Sequence, residues 1–287
     1  MPEEITKIAS TEREARSFIR AAREGRKRIG LVPTMGALHE GHLSLVRAAR
    51  RTCESVAVTI FVNPAQFGQT EDLSKYPRTI DEDLEALRDL GVDLIFLPSQ
   101  DELYPNGFST YVLPPAVADP FEGQFRPEHF RGVATIVLKL LNLLPADVAF
   151  FGQKDFQQFQ VIRQMVKDLN VPVEIQACPI VREPDGLAMS SRNRYLTPDE
   201  RERAVALSDA LAEAKRCFDD GATSSSTLAE YMSEILRKAK ITKIDYAEVA
   251  DANTLQRIDQ IDRPAVALIA AYVGRTRLID NTLLAAE

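Results

Sequence analysis

RIGLVPTMGALHEGHLSLVRAARRT, residues 28–52, joins a short apolar run to an amphipathic one through a turn that carries His39 and His42, two of the chain's three histidines. RIGLVPT has the length and content of a strand, and HLSLVRAARRT returns its apolar positions at helical spacing. The alternation continues outward. SVAVTIFVN, TIDEDLEALRDLG and VDLIFLPS read as strand, helix and strand; then come a helix at about 129–144, the strand DVAFF, the helix DFQQFQVIRQMVKDL and the strand VPVEIQA. Short, mostly apolar strands separated by helices call for a parallel sheet covered on both faces. Residues 1–182 are therefore expected to form a doubly wound α/β domain. After Pro198 the texture changes, with helical patterns at 199–219 and about 226–239 ahead of the strand candidates KIDYAEVAD, AVALIAAYV and TRLIDNT. A smaller α+β domain over 183–287 is expected there, joined through REPDGLAMSSRNRYLT.

Composition narrows the function classes. The 287 residues carry 35 Lys+Arg against 42 Asp+Glu, a net charge of −7, and no basic block, which disfavours a polyanionic partner such as nucleic acid. The longest apolar run, 265–273, falls far short of the roughly 20 residues needed to span a bilayer. MPEEITKIAS at the start is acidic and polar, unlike a secretory signal, so the cytoplasm is the expected location. Cys53, Cys178 and Cys217 are odd in number and far apart, which suggests neither a disulfide framework nor a metal knuckle.

In open parallel sheets, ligands gather beyond the carboxyl ends of the strands. PTMGALHEGH lies at such an end and leads into a helix whose free N–H groups and dipole favour phosphate. Gly36 and Gly41 allow close backbone approach, and two imidazoles one turn apart can offer N–H donors to phosphate oxygens. Two other readings stay open on these residues alone: ordinary polar groups of a loop, or a zinc pair, although HExxH spacing and a third ligand cluster are missing.

Five motifs in register extend the reading: PTMGALHEGH (33–42), FVNPAQF (61–67), FEGQFRPEHFRGV (121–133), FGQKDFQQ (151–158) and REPDGLAMSSRNRYL (182–196). The first resembles the HIGH-type signature of nucleotidyltransferases and class I aminoacyl-tRNA synthetases. The set as a whole, in order, spacing and chain length, resembles the pantothenate synthetase family. That resemblance implies a Rossmann-like fold of the HIGH nucleotidyltransferase type. It also implies an ATP-dependent ligase that joins pantoate to β-alanine through an enzyme-bound pantoyl adenylate, with Mg²⁺ accompanying ATP and a homodimeric assembly.

The resemblance also assigns residues. His42 becomes the acid group and His39 its phosphate-binding companion; with Lys154 and Arg192 they face the charge that builds on pyrophosphate as it leaves. A charged, phosphate-bound histidine is compatible with the ordinary imidazole range. ATP is expected at Met35, Gly36, His39, His42, Gly152, Lys154, Asp155, Val181, Met189, Ser190, Ser191 and Arg192. AMSSRN stands as the counterpart of the KMSKS loop, Val181 offers backbone contacts to adenine, and Met189 lines the base pocket. Gln66 and Gln158 are assigned to pantoate, Gln66 also to β-alanine. The acidic run DEDLEAL offers Asp81 or Glu82 to the metal. For each of these a plainer reading stays open: a helix cap for Asp155, a solvated Lys154, an interdomain linker for AMSSRN, surface amides for the glutamines, and an ordinary acidic helix start for Asp81 and Glu82. Arg126, His129 and Arg131 are left without a role. The competing functions are another HIGH-type nucleotidyltransferase and a catalytically silent nucleotide binder.

Overall fold

The computed structural model describes residues 6–68, 76–77 and 79–285. Residues 1–5, half of the acidic start that was read as unlike a signal sequence, lie outside them. The chain separates into two compact units: Met1–Pro115, Arg126–Gln153 and Val161–Pro179 make the first, and Ala116–Phe125, Lys154–Gln160 and Ile180–Glu287 the second. Two short segments from the middle of the sequence thus belong to the unit that holds the C-terminus.

The first unit is built on six parallel strands, β1 (Lys7–Ala9), β2 (Ile29–Thr34), β3 (Ser55–Ile60), β4 (Leu94–Phe96), β5 (Val148–Gly152) and β6 (Glu174–Cys178). Their spatial order is β1-β4-β3-β2-β5-β6. Helices α1 (Glu12–Glu24), α2 (Glu40–Thr52), α3 (Ile80–Asp89), α4 (Gln100–Leu103), α5 (Glu122–Phe125), α6 (His129–Leu143) and α7 (Phe156–Asp168) fall between them in sequence, α5 and the start of α7 being counted with the second unit. This is the Rossmann-like α/β architecture expected from the alternation of runs. Leu31 pairs with Ala57 and Val32 with Val58, and all four are fully buried, as a sheet covered on both faces requires. On one face, Leu45, Val46 and Ala49 of α2 and Leu87 of α3 pack against Val32, Val58, Ile95 and Phe150.

β1 and α1 are additions to the pattern read outward from residue 28. β1 has three residues, and α1 buries only Ala15, Ile19 and Ala22 in a sequence that is otherwise largely charged. The three fall at i, i+4 and i+7, a helical spacing that the pattern read outward from residue 28 did not take in. The start of α1 is marked by a capping box, with Glu14 accepting from the Thr11 backbone N–H and the Thr11 hydroxyl accepting from the Glu14 N–H.

In the second unit, β7 (Ile244–Asp251), β8 (Ala265–Val273) and β9 (Thr276–Ala285) form an antiparallel sheet in that order, accompanied by α8 (Pro198–Ala204), α9 (Ala206–Asp219) and α10 (Ser225–Lys238). The single helical pattern expected over 199–219 is divided at Val205, which serves as cap to both α8 and α9. β8 explains its own unbroken apolar run. Ala267, Ile269 and Ala271 pack with Leu207, Leu211 and Met232, while the alternate residues Val266, Leu268 and Ala270 pack with Phe121, Phe156 and Leu255. Phe121 and Phe156 come from the two mid-sequence segments. Glu122, beside the first, sits buried with both carboxylate oxygens on the Arg277 guanidinium at 2.9 and 2.6 Å and one on the Tyr246 hydroxyl at 2.8 Å. Arg277 also donates to Asp245 at 2.7 Å. Burial, then the Glu122 charge, holds the Tyr246 phenol well above its ordinary range, so it remains a donor.

Candidate active site

The strand order reverses beside β2: the chain runs from β2 through β3 to β4 on one side, then adds β5 on the other. The carboxyl ends of β2 and β5 therefore flank the switch point, where a crevice forms in sheets of this kind. The turn after β2 is Met35–Leu38, and the strand β5 ends at Gly152.

This turn is held in an unusual backbone state. Gly36 has φ +81° and Ala37 φ +51°, two left-handed residues in succession. A side chain at 36 would also stand 3.0 Å from Ile60 and 3.1 Å from the Asp83 carboxylate, so position 36 admits glycine for both reasons. The backbone then extends at His39, the N-cap of α2 (φ −139°, ψ 174°). Both histidines are built into the cap. Nδ1 of His39 accepts the Gly41 N–H at 3.1 Å, and Nδ1 of His42 accepts the His39 N–H at 3.3 Å. Their ring centroids lie 4.1 Å apart. Because Nδ1 is an acceptor in each, each ring is in its neutral form with the proton on Nε2. Two N–H donors are thereby fixed at a helix N-terminus.

A second network in the same unit surrounds Gln66, which is 9% exposed. Asn63 is oriented by backbone: its Oδ1 accepts the Ala65 N–H at 3.3 Å, and its Nδ2 donates to the Gly132 carbonyl at 3.2 Å. Nδ2 donates also to Gln66 Oε1 at 3.0 Å, which leaves Gln66 to present its NH₂. That NH₂ lies 3.1 Å from Met35 Sδ, a weak acceptor that an oxygen would readily replace. The Tyr104 hydroxyl donates to Asn63 Oδ1 at 2.8 Å, and burial followed by the neighbouring Tyr111 pushes its pKa up. His129 and Arg126 brace the same turn. Arg126 Nη1 can only donate, so His129 Nε2 accepts at 3.1 Å and Nδ1–H donates to the Gln66 carbonyl at 2.9 Å. Gly132 allows the approach of α6, since a Cβ there would stand 2.3 Å from the Ala65 carbonyl.

The second unit gathers another group of the expected residues. Lys154, Ser190 and Arg192 line a small pocket with Ala188, Asn193 and Asp280. The Met189 N–H donates to the Val181 carbonyl at 3.0 Å, so the two residues assigned to adenine are backbone neighbours. Ser190 caps the turn Ser191–Tyr195 by accepting the Arg192 N–H at 3.2 Å. Asn193 donates to Glu183 at 2.6 Å, Arg182 donates twice to the buried Asp280, and Asn281 donates to the Lys154 carbonyl at 2.9 Å. Lys154 Nζ is 3.9 Å from Asp155, whose side chain is about half exposed. Gln158 is half-buried on the first turn of α7; its neighbours Gln157 and Gln160 are committed to structure, Gln157 to the Val117 and Pro120 carbonyls and Gln160 to that of Ala252.

Asp81 and Glu82 are exposed at the start of α3. The member of that acidic run with a built environment is Asp83, 2% exposed, which the sequence reading passed over. Its position four residues before Leu87 on the buried stripe of α3 was the available signal. Among the described residues, no group of three or more His, Cys, Asp or Glu is arranged to hold a metal. Mg²⁺ bound with a triphosphate takes most of its ligands from phosphate and water and asks for one or two carboxylates, a requirement that the Asp81–Glu82 pair fits.

Comparisons with known proteins agree over nearly the whole chain. The family model for pantoate-beta-alanine ligase matches residues 7–283. A pantothenate synthetase of Thermotoga neapolitana is 51% identical over 97% of this chain and 99% of its own length. One from Rhodopirellula baltica is 54% identical, over 93% and 94%. Among solved structures, pantothenate synthetase from Thermus thermophilus superposes with a TM-score of 0.91 at 41% identity, covering 96% of this chain and 99% of that one. Pantoate-beta-alanine ligase from Francisella tularensis, complexed with beta-gamma ATP and beta-alanine, gives 0.82 at 34% identity, over 97% and 98%.

Proposed function

The chain belongs to the pantoate-beta-alanine ligase family and condenses (R)-pantoate with β-alanine by way of a pantoyl adenylate, with ATP yielding AMP and pyrophosphate, and from this premise we propose how its residues divide the work. In the first half-reaction a pantoate carboxylate oxygen attacks the α-phosphorus of ATP and the bond to pyrophosphate breaks. The demands are in-line placement and stabilisation of the charge that develops on the departing oxygens.

His39 and His42 meet that charge through their Nε2–H groups, aided by the N-terminus of α2. Met35, Gly36 and Gly152 let the nucleotide approach the sheet edge closely. Lys154, Ser190, Ser191 and Arg192 take the phosphates, Asp155 the ribose, and Val181 with Met189 the adenine. Gln66 donates from its NH₂ to pantoate and lies beside β-alanine, and Gln158 provides the second amide for pantoate. Mg²⁺ would be held by the phosphates and, through water, by Asp81 or Glu82; when bound, it neutralises charge on the triphosphate. In the second half-reaction the neutral β-alanine amine attacks the acyl carbon and AMP leaves, so the enzyme needs a dry, held anhydride rather than a nucleophile of its own.

The observation that carries the reading is the two-histidine cap at the end of β2, which aims a pair of neutral donors from a helix N-terminus beside the switch point. Pantoate-dependent exchange of labelled pyrophosphate into ATP, with Mg²⁺ and without β-alanine, tests it. Exchange is expected; its absence from folded, ATP-binding enzyme would overturn the assignment of the adenylation site. We further assign the enzyme to the cytoplasm, where ATP is at hand, and to a homodimer. A single 32.0 kDa species in sedimentation would refute the dimer.

A further inference from the structure

We propose that Asp83 is a positioning residue for adenylation, holding the left-handed turn at Gly36–Ala37 and through it the two-histidine cap; the proposal rests on the role given to His42 above. The carboxylate takes the Ala37 N–H on one oxygen at 2.9 Å and the Leu38 N–H on the other at 2.8 Å, and accepts the Thr79 hydroxyl at 3.1 Å. It is 2% exposed, and these three donors are all neutral. A buried carboxylate is kept only where its lone pairs are used, and here two of the three donors are consecutive backbone amides of the turn that leads to His39.

The turn needs such a partner. Ala37 at φ +51° is a non-glycine residue in a conformation that costs about 1 kcal/mol or more, and the neighbouring glycine leaves that stretch with little preference of its own. Two amides converging on one carboxylate fix the conformation of both residues. The next residue, His39, is the cap of α2, so a change at 37–38 is delivered directly to the His39 and His42 rings. Asp83 also occupies the Ala37 and Leu38 amides, so phosphate recognition at this turn falls to the imidazoles and the α2 terminus rather than to the turn itself. Asp83 itself touches no substrate; it acts through the histidines.

The test is a double-mutant cycle on the rate of pantoate-dependent pyrophosphate exchange. Asp83→Asn keeps the shape but turns an NH₂ towards one of the backbone N–H groups. Misplacement of a catalytic turn is expected to lower kcat for exchange on the order of 10²-fold. Because the loss passes through the two rings, Asp83→Asn added to a His39→Ala/His42→Ala enzyme should make exchange no slower than in that enzyme alone. A structural role unrelated to the histidines would make the two losses multiply. Thermal melting shows whether Asp83→Asn folds; if it does not, Thr79→Val, which removes a single donor to the same carboxylate, carries the same cycle with a smaller drop. A folded Asp83→Asn enzyme with unchanged exchange, or multiplied losses against the residual exchange of the His39→Ala/His42→Ala enzyme, would overturn the proposal alone. A His42→Ala enzyme with full exchange would overturn both the proposal and the role of His42.

Discussion

At the scale of single residues, the decisive atoms are the four nitrogens of two imidazoles. Nδ1 of each is spent on the backbone, so function is left to Nε2. His42→Ala removes one donor to developing charge, and the exchange rate is expected to fall about 10²–10³-fold, with the melting temperature lowered by only a few degrees for the lost capping contact. Asn63→Asp tests the orientation of Gln66 by replacing the NH₂ that its Oε1 accepts with an acceptor. Gln66 must then rotate and present its carbonyl, and the KM for pantoate should rise roughly tenfold or more while that for ATP holds. An unchanged pantoate KM in folded enzyme would show that the amide orientation is not used. The histidines were legible because two glycines and a helix start frame them in one short stretch. Asp83 was not, because its partners at 37 and 38 lie 46 and 45 residues away. Tyr104 likewise reaches Asn63 across 41 residues, a separation over which composition and periodicity say nothing.

Among elements, α6 has a constraint independent of its hydrophobic stripe. Gly132 is the point at which the helix meets the Pro64–Gln66 turn, with an added Cβ only 2.3 Å from a backbone carbonyl. Gly132→Ala is therefore expected to cost about 1–3 kcal/mol in denaturant unfolding and to raise the pantoate KM more than the ATP KM, since it pushes on the residue beside Gln66. Wild-type stability would mean that the helix and turn shift apart freely. The strands of the central sheet were readable because burial on both faces makes them continuous apolar runs, as in β2 and β3. β1 was not, being three residues long with two of them exposed, whereas α1 carried a helical spacing in Ala15, Ile19 and Ala22 that went unread. The interruption at Val205 was also invisible: the residue keeps right-handed dihedrals (φ −59°, ψ −27°), and no glycine or proline marks the break.

For the whole molecule, the least sequential feature is the strap Ala116–Phe125, which leaves the first unit and returns to it. Glu122 and Arg277 form its buried anchor. Arg277→Met leaves the carboxylate buried without its cation and should lower unfolding stability by about 3–5 kcal/mol, read from the denaturant midpoint. A midpoint within error of wild type would show that Tyr246 and water satisfy Glu122 unaided. The change of texture after Pro198 signalled a second unit, whose C-terminal part begins earlier, at Ile180 rather than at the expected 183. The strap was hidden, because nothing in FEGQF distinguishes a segment that packs locally from one whose partners lie near the C-terminus. The strap also imposes a schedule on synthesis. Glu122 emerges from a ribosome 155 residues ahead of Arg277, an interval of about 10–30 s at ordinary elongation rates. For most of that interval, until residues 244–273 follow, Phe121 has neither β7 nor β8 to cover it. A nascent chain stalled before residue 244 therefore displays an aromatic ring and an unmatched carboxylate that the finished enzyme hides, and it is in this window that a chaperone would find its handle.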